Sequence, residues 1–85
     1  MNDTQEIHYQ NIRFSTSEIN RNFKIKVYGT NNGQKVDHAV GVSGLIRIVG
    51  DYDIVNSMLE KAFNKGKDRV ICKLRRGLKV TFYSY

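Results

Sequence analysis

Residues 68–85, DRVICKLRRGLKVTFYSY, constrain the fold more than any other stretch, because they have the pattern of a β-hairpin. Apolar and polar residues alternate on both sides of Arg75-Arg76-Gly77, a three-residue loop with glycine where the backbone needs a positive φ. Such a loop places Leu74 opposite Leu78. One face, expected to be core, then carries Cys72/Val80 and Val70/Phe82, and the other carries Lys73/Lys79, Ile71/Thr81 and Arg69/Tyr83.

Residues 23–40 have the pattern of a second hairpin. Phe23, Ile25 and Val27 alternate with Lys24, Lys26 and Tyr28, as in a half-buried strand. Asn32-Gly33 follows, and Asn-Gly is typical of a two-residue type I′ turn. That turn, or a four-residue loop with the same pairing, places Val27 opposite His38 and Ile25 opposite Val40. We therefore expect His38 on the core face, as a structural histidine and not as a ligand or base.

Two helices are predicted between the hairpins. In residues 51–65 the apolar residues recur at helical spacing, with Asp51 and Asp53 at the start, Lys61 and Lys65 near the end, and Gly66 as terminator. A shorter helix is predicted over residues 44–49, capped by Ser43 and ended by Gly50.

The N-terminal residues are less regular. Ser15 and Glu18 have the spacing of a capping box, which predicts a helical turn at residues 16–20. Residues 7–14 match neither helical nor strand spacing and are expected to be an arm or an edge strand. We expect residues 1–22 to form a polar, partly ordered N-terminal arm and residues 23–85 to form a single α+β domain.

The sequence predicts an α+β fold in which two β-hairpins form a four-stranded, mainly antiparallel sheet, in the order ββααββ. One short and one long helix, between the hairpins, pack on one face of the sheet. The strand order is left open. The expected core residues of the strands are Phe23, Ile25, Val27, Val36, Val40, Val70, Cys72, Leu74, Leu78, Val80 and Phe82.

Length and cysteine content limit the possible classes of protein. A chain of 85 residues buries only about 60–65% of the surface that it exposes when unfolded, so a partner or a homodimer would help to stabilise it. Cys72 is the only cysteine, which excludes an intrachain disulfide and fits a reducing compartment. The first fourteen residues contain no apolar run typical of a signal peptide, and no segment has the roughly 18 apolar residues that cross a membrane. We expect a cytoplasmic protein that does not bind membranes.

Positive charge is concentrated at one end of the chain. Residues 1–60 hold six Lys or Arg against seven Asp or Glu (net −1), whereas residues 61–85 hold eight against Asp68 alone (net +7). This asymmetry favours a polyanionic partner, RNA or DNA above all, although a basic surface can also serve solubility alone.

The polar face of the predicted sheet carries cations interleaved with aromatic rings, a combination typical of single-stranded nucleic-acid binding. Arg75 and Arg76 at the hairpin tip could clamp a phosphate. The predicted nucleic-acid-binding residues are Lys24, Lys26, Tyr28, Arg69, Lys73, Arg75, Arg76, Lys79, Tyr83 and Tyr85. Ile71 and Thr81 are expected to be exposed among them.

Other functions are less well supported by the sequence. Two histidines and one cysteine lack the spacing of a zinc site, and no catalytic triad or phosphate-binding loop is apparent, so we expect no enzyme, no metal and no cofactor. A helix-turn-helix over residues 44–63 is disfavoured because the second helix has a nearly neutral exposed face. One alternative to nucleic-acid binding is a protein-interaction module, such as an inhibitor or assembly factor, that docks its basic hairpin or its sheet edge on a protein partner. Another is a ribosome-associated RNA-binding protein.

Overall fold

The computed structural model describes residues 9–31, 33–66, 68–74 and 77–85. Three helices and four strands follow one another as α1 (Thr16–Asn22), β1 (Phe23–Asn31), β2 (Gln34–Val40), α2 (Val42–Val49), α3 (Tyr52–Lys65), β3 (Arg69–Lys73) and β4 (Lys79–Ser84). This is the predicted ββααββ order with a helix added before it. None of the helices in these residues is long and apolar enough to cross a bilayer.

The four strands form one antiparallel sheet in the order β2-β1-β4-β3. Both predicted registers are confirmed: Val27 lies opposite His38, and Cys72 lies opposite Val80. Asn31 pairs with Gln34, and Gly33 has a φ of 81°, as the second position of a type I′ turn requires; Asn32 lies outside the described residues. The last strand, β4, therefore lies in the centre of the sheet, between β1 and β3.

The helices cover one face of the sheet and enclose the hydrophobic core with it. Val27, Val80 and Phe82 on the two central strands are at most 1% exposed, and Leu45 and Leu59 on the helices are fully buried. A chain of ring contacts crosses from the N-terminal segment to the sheet: Phe14 stacks on Phe63, Phe63 meets Phe23 edge-on, and Phe23 meets Phe82 edge-on. Val36, Val40, Leu74 and Leu78, predicted as core, are only partly buried at its margin.

The segment before the sheet contributes to this core. Ile12 and Ile19 are buried with the residues of the sheet and of α3. The Ser15 side chain accepts a hydrogen bond from the Glu18 backbone N–H at 3.2 Å, so the predicted cap is confirmed and the helix continues to Asn22. Residues 9–14 form turns and bends, so the edge strand, one of the two predicted alternatives, is wrong for this part of the segment; residues 1–8 lie outside the described residues.

The helices between the hairpins differ in how well their starts were predicted. Asp51 caps α3 by accepting hydrogen bonds from the backbone N–H groups of Asp53 and Ile54, as its position indicates. The prediction for α2 is wrong at its start: Ser43 does not cap the helix but lies inside it, and the N-cap is Gly41. Starting earlier allows α2 to bury Val42 against the core.

His38 also departs from its prediction. Its register is as expected, but its side chain is exposed and not buried. β2 is an edge strand, and the helices do not extend over it at this position. A position on the inner face of an edge strand is thus not sufficient for burial.

Candidate nucleic-acid interface

The face of the sheet opposite the helices carries every lysine and arginine of the four strands. The strand registers place these six cations, Lys24, Lys26, Lys35, Arg69, Lys73 and Lys79, on the same side of the pleat. We call this side the outer face. Asp37 is the only acidic residue in the strands, and it lies on the same face. Six positive charges against one negative charge make the outer face strongly cationic.

The cations are most concentrated at the β3–β4 hairpin. Lys73 lies directly opposite Lys79, both side chains are exposed, and Arg69 is exposed at the other end of β3. Directly opposed like charges destabilise a sheet by about 0.2–1 kcal/mol, and an anion held between them would relieve that repulsion. Arg75 and Arg76, predicted to extend this patch, lie outside the described residues.

Two tyrosines join the central strands across the outer face. The hydroxyls of Tyr28 on β1 and Tyr83 on β4 share a hydrogen bond, which raises the pKa of Tyr28 above its ordinary value. Lys26 lies between the rows of these two tyrosines, with its Nζ 5.3 Å from the centre of the Tyr28 ring. Both tyrosines are partly buried.

Lys26 is the one strand cation with a carboxylate partner among the described residues. Its Nζ lies 3.4 Å from an oxygen of Asp37 on the neighbouring strand, and this hydrogen-bonded contact raises the pKa of Lys26. An approaching phosphate would have to compete with Asp37 for this ammonium group. Lys24, Arg69, Lys73 and Lys79 have no such competitor in the described part of the chain.

Thr81 was predicted to be exposed on this face, but it is only 1% exposed. It lies between Lys26 on one side and Ile71 on the other. Tyr28 and Tyr83 lie in the rows before and after it, so the contact between their hydroxyls crosses its row. The centre of the outer face is thus closed by side chains, whereas Ile71, at the edge, is 47% exposed as predicted.

A groove of about 430 Å³ lies beside the tyrosine pair, at the end of β4. It is lined by two lysines, Lys24 and Lys26, by two tyrosines, Tyr83 and Tyr85, and by Ser84. The Tyr85 ring is 82% exposed. The groove therefore offers a cation and an aromatic surface to the same ligand.

The predicted residues of the described chain thus share one face, in two groups. One is the groove with its tyrosines, and the other is the cationic hairpin of β3 and β4. The sequence prediction omitted Lys35 and Asp37. The register that faces Tyr28 with Asp37 and Thr30 with Lys35 was available from the Asn-Gly turn and could have placed both on the outer face.

No group of three His, Cys, Asp or Glu side chains among the described residues could hold a metal ion. No protein-family model, curated protein or solved structure matches this chain.

Proposed function

We propose that the protein is a non-enzymatic nucleic-acid-binding module that contacts the backbone and unpaired bases of RNA or DNA through the outer face. The observation that carries the proposal is that all six strand cations lie on the one sheet face that the helices leave open. Charge that served solubility alone would not need this concentration on one face: helices α1–α3 are nearly neutral, with Arg21, Arg47, Lys61 and Lys65 against Glu18, Asp53 and Glu60.

The β3–β4 hairpin is suited to the phosphate backbone. Lys73, Lys79 and Arg69 are exposed, and no described carboxylate pairs with them. Neutralising phosphates with such side chains releases condensed counterions, which drives binding independently of sequence. Arg75 and Arg76, by their place in the sequence beside this hairpin, would add to the same contact.

The tyrosines are suited to unpaired bases. Tyr83 and Tyr85 line the groove beside Lys24 and Lys26, so a base could stack on a ring while its phosphate meets an ammonium group. Each such stack contributes about 1–3 kcal/mol and is tolerant of sequence. Because Tyr28 and Tyr83 already use their hydroxyls on each other, we expect little hydrogen-bonded base selection there.

We expect the protein to act in the cytoplasm. This compartment is reducing, so a free cysteine such as the buried Cys72 stays reduced there. It involves no cofactor. Ribosome association would be one setting for the same outer face, and co-sedimentation with ribosomes would identify it.

Fluorescence anisotropy with labelled single-stranded and duplex oligonucleotides tests the proposal. We expect tighter binding to single strands and a linear loss of log affinity with log salt concentration, with a slope of about −0.7 per phosphate contacted. Absence of binding at low salt, or an affinity that does not depend on salt, would reject the proposal. Retention of a stoichiometric protein after nuclease treatment, with no affinity for oligonucleotides, would favour a protein-interaction module.

A matched pair of double variants makes the test specific. Lys73→Glu with Lys79→Glu should weaken binding and reduce the salt slope by about 1–2, because two phosphate contacts are lost. Arg47→Glu with Lys65→Glu changes the net charge equally, on exposed positions of α2 and α3, and should have a much smaller effect. Equal effects of the two double variants would show that net charge, and not the outer face, determines binding.

A further inference from the structure

The β3 strand has a free edge with a defined set of unpaired backbone groups. The Leu74 N–H donates to the Leu78 carbonyl at 2.7 Å, and the Ser84 N–H donates to the Asp68 carbonyl at 2.9 Å. Because the direction of these groups alternates along an antiparallel strand, Val70 and Cys72 are bonded to β4, and Arg69, Ile71 and Lys73 direct their N–H and C=O groups outward. No other strand of the described residues lies on that side.

Apolar side chains flank this edge on both faces of the sheet. Among the described residues the exposed large apolar side chains are Tyr52, Ile54, Ile71 and Tyr85, and two of these four lie here. Ile71, on the outer face, is 47% exposed; Ile54, on α3, is 41% exposed. Ile54, Met58 and Cys72 line a shallow groove of about 350 Å³ between α3 and β3, together with Asp53, Ser57, Lys61 and Lys73.

We propose that the β3 edge binds an extended acidic segment of a protein partner, which adds to the sheet as a fifth strand. Strand addition takes its affinity from backbone hydrogen bonds and its specificity from alternate side chains. Partner residues opposite Lys73 and Arg69 would be acidic, and the residue opposite Ile71 would be apolar, since all three lie on the outer face. Residues opposite Val70 and Cys72 would be apolar and extend toward the groove.

The expected partner sequence is therefore acidic-apolar-apolar-apolar-acidic. This pattern is the same in both directions, so it does not depend on whether the added strand is parallel or antiparallel. It depends only on the alternation of β3, in which Arg69, Ile71 and Lys73 share one face and Val70 and Cys72 share the other.

Charge repulsion disfavours a second copy of this chain as the partner at the β3 edge. If two β3 strands paired antiparallel about Ile71, Arg69 of each copy would lie opposite Lys73 of the other. Two directly opposed like-charged pairs would oppose such a dimer. The edge of β2 is also less suitable, because its outer-face residues are Lys35, Asp37 and Ala39, of mixed charge and without an exposed large apolar side chain.

Titration with a synthetic peptide tests this inference. The probe has the core Glu-Val-Ile-Val-Glu, and the matched control has the core Lys-Val-Ile-Val-Lys. In amide NMR spectra, the Glu peptide should shift the backbone resonances of Arg69, Ile71 and Lys73 and slow their exchange with solvent, and the Lys peptide should bind at least about tenfold more weakly. Equal binding of the two peptides, or shifts confined to β2, would overturn the inference.

Backbone variants separate strand addition from simple charge attraction. A Glu peptide that is N-methylated on the edge facing β3 keeps its charges but loses its donors, and it should bind at least about tenfold more weakly than the unmethylated peptide. Ile71→Pro removes an outward N–H, which edge strands tolerate, together with the Ile71 side chain, and should abolish peptide binding. Ile71→Thr removes the same apolar side chain but keeps the N–H, so it should bind the peptide more weakly than the unchanged protein and more tightly than Ile71→Pro. Full binding of the methylated peptide would contradict strand addition even if Ile71→Pro failed to fold.

Strand addition can be tested apart from nucleic-acid binding, although Arg69 and Lys73 would contact both ligands. Ile71→Pro retains every strand cation, so a folded variant should bind oligonucleotides as the unchanged protein does. A concentration-dependent dimer that is lost in Ile71→Pro would identify the occupant as a second copy and overturn the inference.

Discussion

The side-chain oxygen of Asn56 accepts a hydrogen bond from the backbone N–H of Arg13 at 2.9 Å. The Asn56 Nδ2 donates to the Asn11 carbonyl at 2.8 Å, so one amide, only 4% exposed, satisfies two backbone groups of the segment before α1. Arg13 also forms an ion pair with Glu60, one turn further along α3. These contacts hold the segment that brings Ile12 into the core.

Replacing Asn56 should therefore destabilise the whole protein. Asn56→Leu fills a similar volume but leaves an N–H and a C=O without partners, at a cost of about 1–3 kcal/mol for each group that stays buried. Urea unfolding followed by circular dichroism would measure the loss. Ser57→Ala, the neighbouring exposed position on α3, should change the free energy of unfolding by less than about 0.5 kcal/mol. If Asn56→Leu left the free energy of unfolding unchanged, the segment before α1 would have to be held by other contacts.

Gly29 cannot be replaced without moving the β3–β4 hairpin. Its φ is 121°, and a Cβ added there would lie 2.1 Å from the Gly77 carbonyl oxygen. Strain and overpacking together should make Gly29→Ala cost about 2–6 kcal/mol. Gly33→Ala is the matched control, because its φ is 81° but nothing lies within 4 Å of the added atom; we expect it to cost only about 1–2 kcal/mol. If chemical denaturation gave the same loss in the free energy of unfolding for Gly29→Ala and Gly33→Ala, the close approach of Gly29 to Gly77 would not matter for stability.

A single charge reversal should separate stability from ligand binding. Lys73→Glu converts the repulsive pair with Lys79 into an attractive one, so the free energy of unfolding should rise by about 0.2–1 kcal/mol, and less at high salt. Affinity for oligonucleotides should fall in the same variant. Lys24 lies opposite Tyr83 and not opposite a cation. Lys24→Glu should therefore weaken oligonucleotide binding without raising the free energy of unfolding. A loss of stability in Lys73→Glu would contradict the pairing.

The hydrogen bond between Tyr28 and Tyr83 predicts that stability depends on pH in the alkaline range. The hydrogen bond to Tyr83 raises the pKa of Tyr28 above about 10, so the stabilising contribution is present below that pH and is lost as pH rises through the folded pKa. Tyr83→Phe should lower the pKa of Tyr28, measured by the ultraviolet absorbance of tyrosinate. Tyr52→Phe removes an exposed phenol on α3 and should leave the Tyr28 titration unchanged. An unshifted titration in Tyr83→Phe would exclude the contact between the hydroxyls.

Local pattern was enough to predict the pairing within each hairpin. The Asn-Gly turn and Gly77 set the registers, and alternation then assigned each side chain to a face. The caps of α1 and α3 were also predictable, because Ser15 and Asp51 bond to backbone groups only a few residues away. These features depend on neighbours in sequence, which the sequence shows directly.

Features that depend on strand order could not be predicted in the same way. Tyr28 and Tyr83 meet only because β4 pairs with β1, and this pairing also buries Thr81. His38 is exposed because β2 is at the edge of the sheet. Alternation assigns a residue to a face, but burial also requires neighbouring strands and helices to cover it. The candidate site was thus predictable as a set of residues, but not in its internal contacts.

The central place of β4 has a consequence during synthesis. A nascent chain that has emerged only as far as β3 has no strand to lie between β1 and β3, and it lacks the fully buried Val80 and Phe82. The pairing of β1 with β4 joins residues that are far apart in sequence. Such pairings form late in folding, because the intervening chain must first lose conformational entropy. We therefore expect ribosome-bound intermediates to remain sensitive to protease until β4 leaves the exit tunnel, after which protection should appear in a single step.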